Sequence, residues 1–348
     1  MLAWYYIASM QKIFITGGLG YLGSKLAVEA LKKGHSVFLY DSLLYKQDYK
    51  NILAEIQTAK RGRATCQFVM GDVRNTTLLR QSLEEYKPDF LVHFAELAGI
   101  YICNDNPLYT RDINFEASKK VLDIAEELRI PVIYNSSSSL YGNQKGKRLL
   151  DESSPLPAPT DNYCRYKLLM EKYIKEKVKA HPTFKIIVLR PSTAWGVSPR
   201  MRVELMPNHF IYCAVAKGLI SISEPEAYRA DINVDDLVGA YFAIMKNNNW
   251  KKLIYNVSQH NVKKVELAET IQSLIDCNIA MAPGLGDPRD VHIDSSAFCK
   301  DFDYKPKHSS KSTIQKVERW IRTHKKEMEK SNFGGMINTP LAEWLRII

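Results

Sequence analysis

The sequence predicts an α/β fold, a doubly wound parallel sheet with helices on both faces and a smaller, discontinuous C-terminal region. Apolar, β-rich runs alternate with helical patterns as far as Arg190, and a glycine-rich turn follows the first run. After Arg190 the strand signals shorten, and Pro, Gly and Met become frequent. Strand–helix alternation is typical of βαβ units with parallel strands, and the change at Arg190 indicates a second region.

Each predicted strand is a short apolar run bounded by turn residues. In chain order the runs are 12–16, 36–41, 66–73, 89–96, 131–136 and 184–190, with 253–258 expected to return to the same sheet. Helical patterns fill the gaps, notably over 22–33, 112–128 and 162–179. We expect the C-terminal region to cover the carboxyl edge of this sheet.

Composition sets limits on the class of protein. The chain has 348 residues, 45% of them hydrophobic, which is enough for a large core and one or two domains. Its net charge of +10 suits anionic ligands such as nucleotides, although the Lys/Arg-rich stretches 172–179 and 316–330 are equally well explained as solvated helix faces. We find no nucleic-acid-binding motif and predict no nucleic-acid partner.

The cysteines and the apolar runs indicate a cytoplasmic protein without a metal site. The six cysteines are far apart and form no C-x-x-C pair, so we expect neither disulfides nor zinc. No apolar run reaches the roughly 18 to 20 residues of a membrane span. The N-terminal "MLAWYYIASM" has no basic region, so we interpret it as an extra segment and not a signal peptide; translation could also begin at Met10.

The turn "FITGGLGYLGS" predicts a dinucleotide site. Gly17, Gly20 and Gly23 permit a tight turn and a close approach of the backbone to a pyrophosphate, and Tyr21 and Leu22 open the helix whose N–H groups would face it. This spacing between a strand and a helix is typical of a Rossmann-type domain.

Acidic residues end the next two strands. Asp41 lies where an acid binds the ribose hydroxyls of NAD and repels the extra phosphate of NADP, so we favour NAD; alternatively, Asp41 only caps the next turn. Asp72 and Val73 end the third strand and could reach the adenine.

Two further segments carry candidate catalytic groups. Tyr163 and Lys167 are four residues apart at the start of a predicted helix, so they share a face, and an ammonium there favours a phenolate that can accept a proton. Tyr166 and Tyr173 are the alternatives without a catalytic role. "NSSSSLYG" alone could be a linker, but it ends a predicted strand.

Taken in order, "TGGLGYLG", "HFAELA", "SSSLYG", "YCRYK" and "YRADINVDD" resemble the extended short-chain dehydrogenase/reductase family. Within it, the chain is most similar to the NAD-dependent nucleotide-sugar epimerases and dehydratases, the UDP-galactose 4-epimerases in particular. The resemblance implies an NAD-binding Rossmann domain over 1–190, with 230–258 returning to it, and a substrate-binding region over 191–229 and 259–348.

The resemblance also implies residue roles. The catalytic hydroxyl stands four residues before Tyr141, which selects Ser137, with Ser136 as the alternative by a one-residue slip. Further cofactor contacts would come from Phe94, Ala95, Glu96, Asn114, Ser136 and Pro191, in addition to Tyr163 and Lys167. A small residue is usual in the family where Glu96 stands.

On the substrate side, the resemblance implies that Asn208 and Arg229 bind the nucleotide diphosphate. The arginine usual ahead of a Gly-Asp pair is absent at 284–287, and Arg289 would substitute for it. Arg200 and Arg202 either add positive charge to the site or are surface residues.

We therefore expect an NAD-dependent nucleotide-sugar epimerase, acting at C4 of a UDP-sugar through a transient keto-sugar, with Tyr163 as base. The family commonly forms homodimers through the helices predicted at 112–128 and 162–179. A dehydratase, decarboxylase or reductase is the alternative. Dehydratases carry Thr-Asp-Glu where this chain has Ser137-Ser138-Ser139, which argues against dehydration. Glu96 could, however, replace one of the missing acids. A non-catalytic NAD-binding regulatory protein is a further alternative, and retention of Tyr163 and Lys167 argues against it.

Overall fold

The computed structural model describes residues 10–45, 48–144, 149–247, 249–282 and 289–330. The N-terminal segment 1–9 and the Gly-Asp segment at 284–287, both considered above, lie outside these ranges.

The described strands are β1 Lys12–Thr16, β2 Ser36–Asp41, β3 Cys66–Met70, β4 Phe90–His93, β5 Val132–Asn135, β6 Leu149–Leu150, β7 Ile186–Pro191, β8 Thr193–Trp195, β9 Leu219–Ile222, β10 Tyr228–Asn233, β11 Ile254–Val257, β12 His260–Lys263, β13 Asn278–Met281 and β14 His292–Ile293. The α-helices are α1 Tyr21–Lys32, α2 Tyr49–Thr58, α3 Thr76–Tyr86, α4 Ile100–Asp105, α5 Pro107–Arg111, α6 Ser118–Glu127, α7 Asn162–Ala180, α8 Met206–Lys217, α9 Val234–Lys246, α10 Lys264–Gln272, α11 Ser296–Phe302 and α12 Ser310–Lys330. A π-helical segment, Asp112–Ala117, precedes α6, and a short 3₁₀ turn covers Ser138–Tyr141.

The central sheet has seven parallel strands in the order β11-β7-β5-β4-β1-β2-β3. The predicted α/β class is therefore confirmed, as is the return of the run at 253–258, whose strand β11 lies beside β7. Two predicted strands are shorter than expected: β3 ends at Met70 and β4 at His93. The chain leaves the sheet there, which places Asp72 and Glu96 in loops at the carboxyl edge.

Both faces of the sheet are covered by helices. Along β1, Ile13 and Ile15 pack into the cluster that includes α1, α2 and α9, whereas Phe14 packs into the cluster that includes α3, α6 and α7. Successive side chains of a strand point to opposite faces, so one apolar strand supplies both cores. This two-sided burial is what the continuous apolar runs in the sequence predicted.

The C-terminal region forms smaller sheets and a third apolar cluster. Strand β10 lies between β8 and β12, and the pairs β9–β13 and β6–β14 form two further sheets. Within the segment 230–258, α9 packs into the same apolar cluster as β1 and α1, and β11 joins the central sheet, whereas β10 pairs with β8 and β12. The division into two domains stays a prediction. Helices α8, α10 and α12 pack together in the third cluster.

Among the described residues, no helix is both long enough and apolar enough to cross a membrane. Within the same ranges, no group of three or more His, Cys, Asp or Glu side chains is placed to hold a metal ion.

Candidate active site

A cleft of about 1000 Å³, measured out to its open mouth, lies at the carboxyl edge of the central sheet. It is lined by these predicted cofactor residues: Gly17, Gly20, Tyr21, Leu22, Gly23, Asp41, Asp72, Val73, Phe94, Ala95, Glu96, Tyr163 and Lys167. The topology brings them together because the parallel strands β1, β2 and β4 all end at this edge.

The glycine turn forms a cradle that side chains would fill. A Cβ atom on Gly17, whose φ is +68°, would lie 2.8 Å from the backbone carbon of Phe94. A Cβ atom on Gly23 would lie 2.1 Å from the carbonyl oxygen of Gly17. Helix α1 begins at Tyr21, and no side chain caps it at Gly20. Its first N–H groups are therefore available to a pyrophosphate, which fits a dinucleotide.

Asp41, at the end of β2, bonds to the backbone on both sides of the cleft. One carboxylate oxygen accepts the N–H of Leu19 at 2.9 Å, and the other accepts the N–H of Leu43 at 2.8 Å. Each oxygen retains a lone pair for a ribose hydroxyl. Burial raises the pKa of Asp41, while the two backbone N–H groups act in the opposite direction. The two readings of Asp41 therefore do not exclude each other, since it caps the turn and still lines the cleft.

Asp72 and Val73 lie at the edge of the cleft. Arg74 donates to both carboxylate oxygens of Asp72, at 3.0 and 2.7 Å, and its guanidinium lies 4.8 Å from the ring centroid of Tyr109. The Asp72 side chain is thus oriented by Arg74, whereas Val73 is buried.

Tyr163 and Lys167 lie on one face of α7, as the sequence predicted. Asp161 caps this helix by accepting the N–H of Cys164 at 2.8 Å. The Lys167 ammonium lies 5.9 Å from the ring centroid of Tyr163, and the Ser137 side chain lies close enough to the Tyr163 hydroxyl to lower its pKa. The pKa of Tyr163 is raised overall, because burial outweighs Lys167 and Ser137, which lower it, and Glu96 raises it further. The three predicted catalytic groups therefore form one cluster.

Glu96 makes a buried ion pair with Lys167, and their side chains are 4% and 5% exposed. The Tyr134 hydroxyl donates to the other carboxylate oxygen of Glu96 at 2.7 Å, and Ser118 donates to that same oxygen at 3.4 Å. Lys167 also donates to the carbonyl of Asn135. The sequence offered no sign of this pairing, because Glu96 and Lys167 lie on different βα units.

The structure separates the two candidate serines. Ser136 donates to Glu171 at 2.6 Å, and Glu171 in turn accepts from Arg190 at 2.8 and 2.6 Å, all within the core. The Ser136 side chain therefore points away from the cleft, whereas the Ser137 side chain approaches Tyr163. Any cofactor contact of Ser136 would have to use its backbone, and it stays a prediction.

Asn114 and Pro191 do not line the cleft. The Asn114 amide accepts the N–H of Leu97 and donates to the carbonyl of Leu97, both at 2.8 Å, so it supports the loop that carries Glu96. Pro191 is the last residue of β7 and is buried. Their direct contact with a cofactor is not seen in this arrangement and stays a prediction.

The predicted substrate residues also lie outside the lining of this cleft. Asn208 accepts the N–H of Gly196 at 3.1 Å and donates to the carbonyl of Arg202 at 2.9 Å. Arg289 donates to the Ser139 hydroxyl, and Arg229 is buried in β10. Their binding to a substrate stays a prediction.

Two arginines that the sequence left undecided form part of the cleft wall. The Arg200 guanidinium lies 4.6 Å from the ring centroid of Tyr45, and burial lowers its pKa to about 10. Arg202 donates to Glu204 at 2.7 Å and to the carbonyl of Ala98 at 3.3 Å. Tyr45 also lines the cleft but was not a predicted site residue. In the sequence, only the two-residue spacing of these arginines, within an irregular segment, indicated that both side chains could face the same part of the protein.

The fold and the cleft define a Rossmann-type α/β protein with a dinucleotide site. The family model for the NAD dependent epimerase/dehydratase family matches residues 13–258, so the chain belongs to that family. The cofactor of the family is NAD, and the glycine cradle and Asp41 fit it. The sequence-based assignment to this family is confirmed.

Known proteins similar to this chain include UDP-glucose 4-epimerases and, among solved structures, a dTDP-glucose 4,6-dehydratase from Bacillus anthracis with a TM-score of 0.77 at 21% identity, over 91% of this chain and 98% of that one. A UDP-glucose 4-epimerase of Neisseria meningitidis serogroup B is 32% identical over 219 residues, which are 60% of this chain and 62% of that protein. A UDP-glucose 4-epimerase of Lactobacillus helveticus is 26% identical over 92% of this chain and 99% of its own length. The structure of a UDP-glucose 4-epimerase from Stenotrophomonas maltophila has a TM-score of 0.79 at 21% identity, over 91% of this chain and 99% of that one, and shows the shared fold.

Proposed function

We propose that this protein is an NAD-dependent nucleotide-sugar epimerase that inverts C4 of a UDP-sugar. The observation that carries the proposal is the cluster of Tyr163, Lys167 and Ser137, of which Tyr163 and Lys167 line the same cleft as the glycine turn. A base, a cation and a hydroxyl donor are the groups needed to deprotonate a sugar alcohol. The similarity to UDP-glucose 4-epimerases supports this choice of substrate class.

In this reaction Tyr163 takes the proton from the C4 hydroxyl and later returns it. Ser137 donates a hydrogen bond to the reacting oxygen, and Lys167 stabilises the Tyr163 phenolate. NAD, which the glycine turn and Asp41 would hold in the cleft, would supply the hydride acceptor for C4 and would return the hydride to the opposite face of the sugar. The reaction is redox-neutral, so the cleft must begin and end each cycle with the oxidised cofactor.

The arrangement of the acidic side chains favours epimerisation over dehydration. Ser138 and Ser139 stand where dehydratases carry an acid pair. Glu96 is the acid that could replace one of them, but Tyr134 occupies one of its oxygens and Lys167 the other. An acid held this way is poorly placed to move a second proton on the sugar.

The test is an assay of NAD-loaded protein against UDP-, GDP- and dTDP-sugars with resolved products. We expect an epimer of unchanged mass, and Tyr163→Phe should lower kcat about 10²- to 10⁴-fold because the base is lost. Tyr166→Phe, which alters a buried tyrosine three residues along the same helix, is the matched control and should retain turnover.

Other results would identify the alternatives. A product lighter by water or carbon dioxide would show a dehydratase or decarboxylase, and net consumption of NADH would show a reductase. Unchanged turnover in Tyr163→Phe would contradict the assignment of the base. Absence of turnover with all three sugar classes, despite NAD binding, would favour the regulatory alternative.

A further inference from the structure

A buried carboxylate lies beside the lysine of the catalytic cluster. Glu96 and Lys167 form an ion pair whose side chains are 4% and 5% exposed. Removing two charges from water is costly, and the attraction between them repays this cost only when their geometry and remaining hydrogen bonds are well satisfied. The groups around this pair come from the loop after β4, which carries Glu96, from strand β5, which carries Tyr134, and from helix α7, which carries Lys167.

Glu96 is held rigidly in this position. Tyr134, on β5, donates to one carboxylate oxygen at 2.7 Å, and the ammonium of Lys167 lies against the other. Ser118, at the start of α6, donates to the first oxygen at 3.4 Å. Asn114 bonds to both backbone groups of Leu97, the residue next to Glu96. The carboxylate therefore cannot turn away from Lys167 without breaking several contacts.

The charge of Glu96 matters because the two states of the cofactor differ in charge. The nicotinamide ring carries a positive charge in NAD⁺ and none in NADH. A lysine without a counter-charge beside this ring would disfavour the oxidised state, since like charges repel strongly in a buried site. A carboxylate on the same lysine cancels that repulsion.

We propose that Glu96 is a counter-charge to Lys167 that favours oxidised over reduced nicotinamide in the cleft. The inference rests on the proposed function in one respect, namely that the nicotinamide lies beside Lys167 and Tyr163. Its consequence is that the resting protein holds NAD⁺, the state that a redox-neutral epimerase needs at the start of every cycle. Glu96 acts on the cofactor equilibrium and takes no proton from the sugar.

The test measures affinities for the cofactor and needs no sugar substrate. Cofactor-free protein is titrated with NADH by fluorescence, and NAD⁺ is measured by competition. In Glu96→Gln the ratio of NAD⁺ affinity to NADH affinity should fall about tenfold, because the uncompensated lysine repels only the oxidised ring. Glu96→Ala should show the same change and serves if the Gln variant does not fold, since the family usually has a small residue here.

Two further variants test the direction of the change in the affinity ratio and provide a control. Lys167→Met should raise the same ratio, because the Glu96 carboxylate is then left without its cation and attracts the oxidised ring, and the double variant with Glu96→Gln should return close to the wild-type ratio. Asp123→Asn is the control. The Asp123 carboxylate lies 2.9 Å from the ammonium of Lys177, which is on α7 like Lys167, but Asp123 does not line the cleft. Its ratio should equal that of the wild type.

The proposal fails if the Glu96 variants leave the ratio unchanged or raise it. It also fails if both affinities fall by the same factor, because Glu96 would then only support the packing of the cleft. These outcomes are independent of the epimerase assay. If the ratio falls tenfold in the Glu96 variants but the protein turns over no UDP-sugar, the proposed role of Glu96 is supported and the proposed substrate is rejected.

Discussion

His93, the last residue of β4, shows how burial sets the charge of a single side chain near the cleft. One ring nitrogen lies 2.7 Å from the Thr16 hydroxyl, and the other lies 2.9 Å from the Ser118 hydroxyl. Burial, with a smaller contribution from Lys167, lowers the pKa of His93 to about 3. The folded protein therefore holds a neutral imidazole at pH values where the unfolded chain binds a proton.

This lowered pKa predicts a loss of stability in acid. Between pH 6.5 and 3 the unfolded state binds more protons at His93 than the folded state, so the free energy of unfolding falls as the pH falls. From pH 7 to pH 5 this residue should cost about 2 kcal/mol, measured by urea unfolding at both pH values. His93→Asn should remove that share of the slope. Equal slopes in the wild type and His93→Asn would refute the explanation.

At the scale of the elements, helix α7 is joined to strand β7 by a buried ion pair between Glu171 and Arg190. Arg190 donates to both oxygens of Glu171, which also accepts from Ser136. Arg190 donates further to the Tyr141 hydroxyl at 2.9 Å. The pair thus joins helix α7 to both ends of the segment that carries Ser137.

We predict that Glu171→Ala destabilises the protein by about 3–5 kcal/mol, because it leaves a buried guanidinium without its carboxylate. Replacing both partners, as Glu171→Leu with Arg190→Met, should recover most of this loss, since no unpaired charge remains. Chemical denaturation measures both changes. Glu116→Ala breaks the exposed pair with Lys119 and should cost at most about 1 kcal/mol. A double variant as unstable as Glu171→Ala would show that packing, and not charge, is lost.

At the scale of the whole molecule, the cleft is shared by the central sheet and the segment that follows β8. Arg200 and Arg202 approach the cofactor cleft from that segment. Helices α6 and α7 lie side by side elsewhere on the surface, joined by Lys177 of α7 and Asp123 of α6 at 2.9 Å. These are the helices through which we propose that two copies associate.

A homodimer predicts a solution mass of about twice the 39.8 kDa of one chain, measured by sedimentation or light scattering. Leu169 lies on α7 opposite its buried face, so Leu169→Glu should place a charge in the interface and shift the protein towards a monomer. Lys311→Glu, on α12, changes charge outside this surface and should leave the mass unchanged. A wild-type mass of one chain at micromolar concentration would reject the dimer.

The sequence predicted the strands well because their signals are local. The apolar run of β1 and the glycine turn behind it can be recognised without knowledge of the rest of the chain. The ends of β3 and β4 were placed too late, because apolar residues continue into the loops, where they line the cleft. The partners of β10 could not be predicted, since β8 and β12 are distant from it in sequence and the pattern of a strand does not identify its neighbours.

By itself, the sequence determined the parallel sheet, the glycine cradle and the shared face of Tyr163 and Lys167. Strand and helix periods, positive φ angles and four-residue spacing are properties of short segments. Only the tertiary structure decided that Ser137 and not Ser136 approaches Tyr163, that Glu96 pairs with Lys167, and that Arg200 and Arg202 form a wall of the cleft. Each of these depends on which side chains meet when distant segments pack, and burial then sets how strongly their charges act on each other.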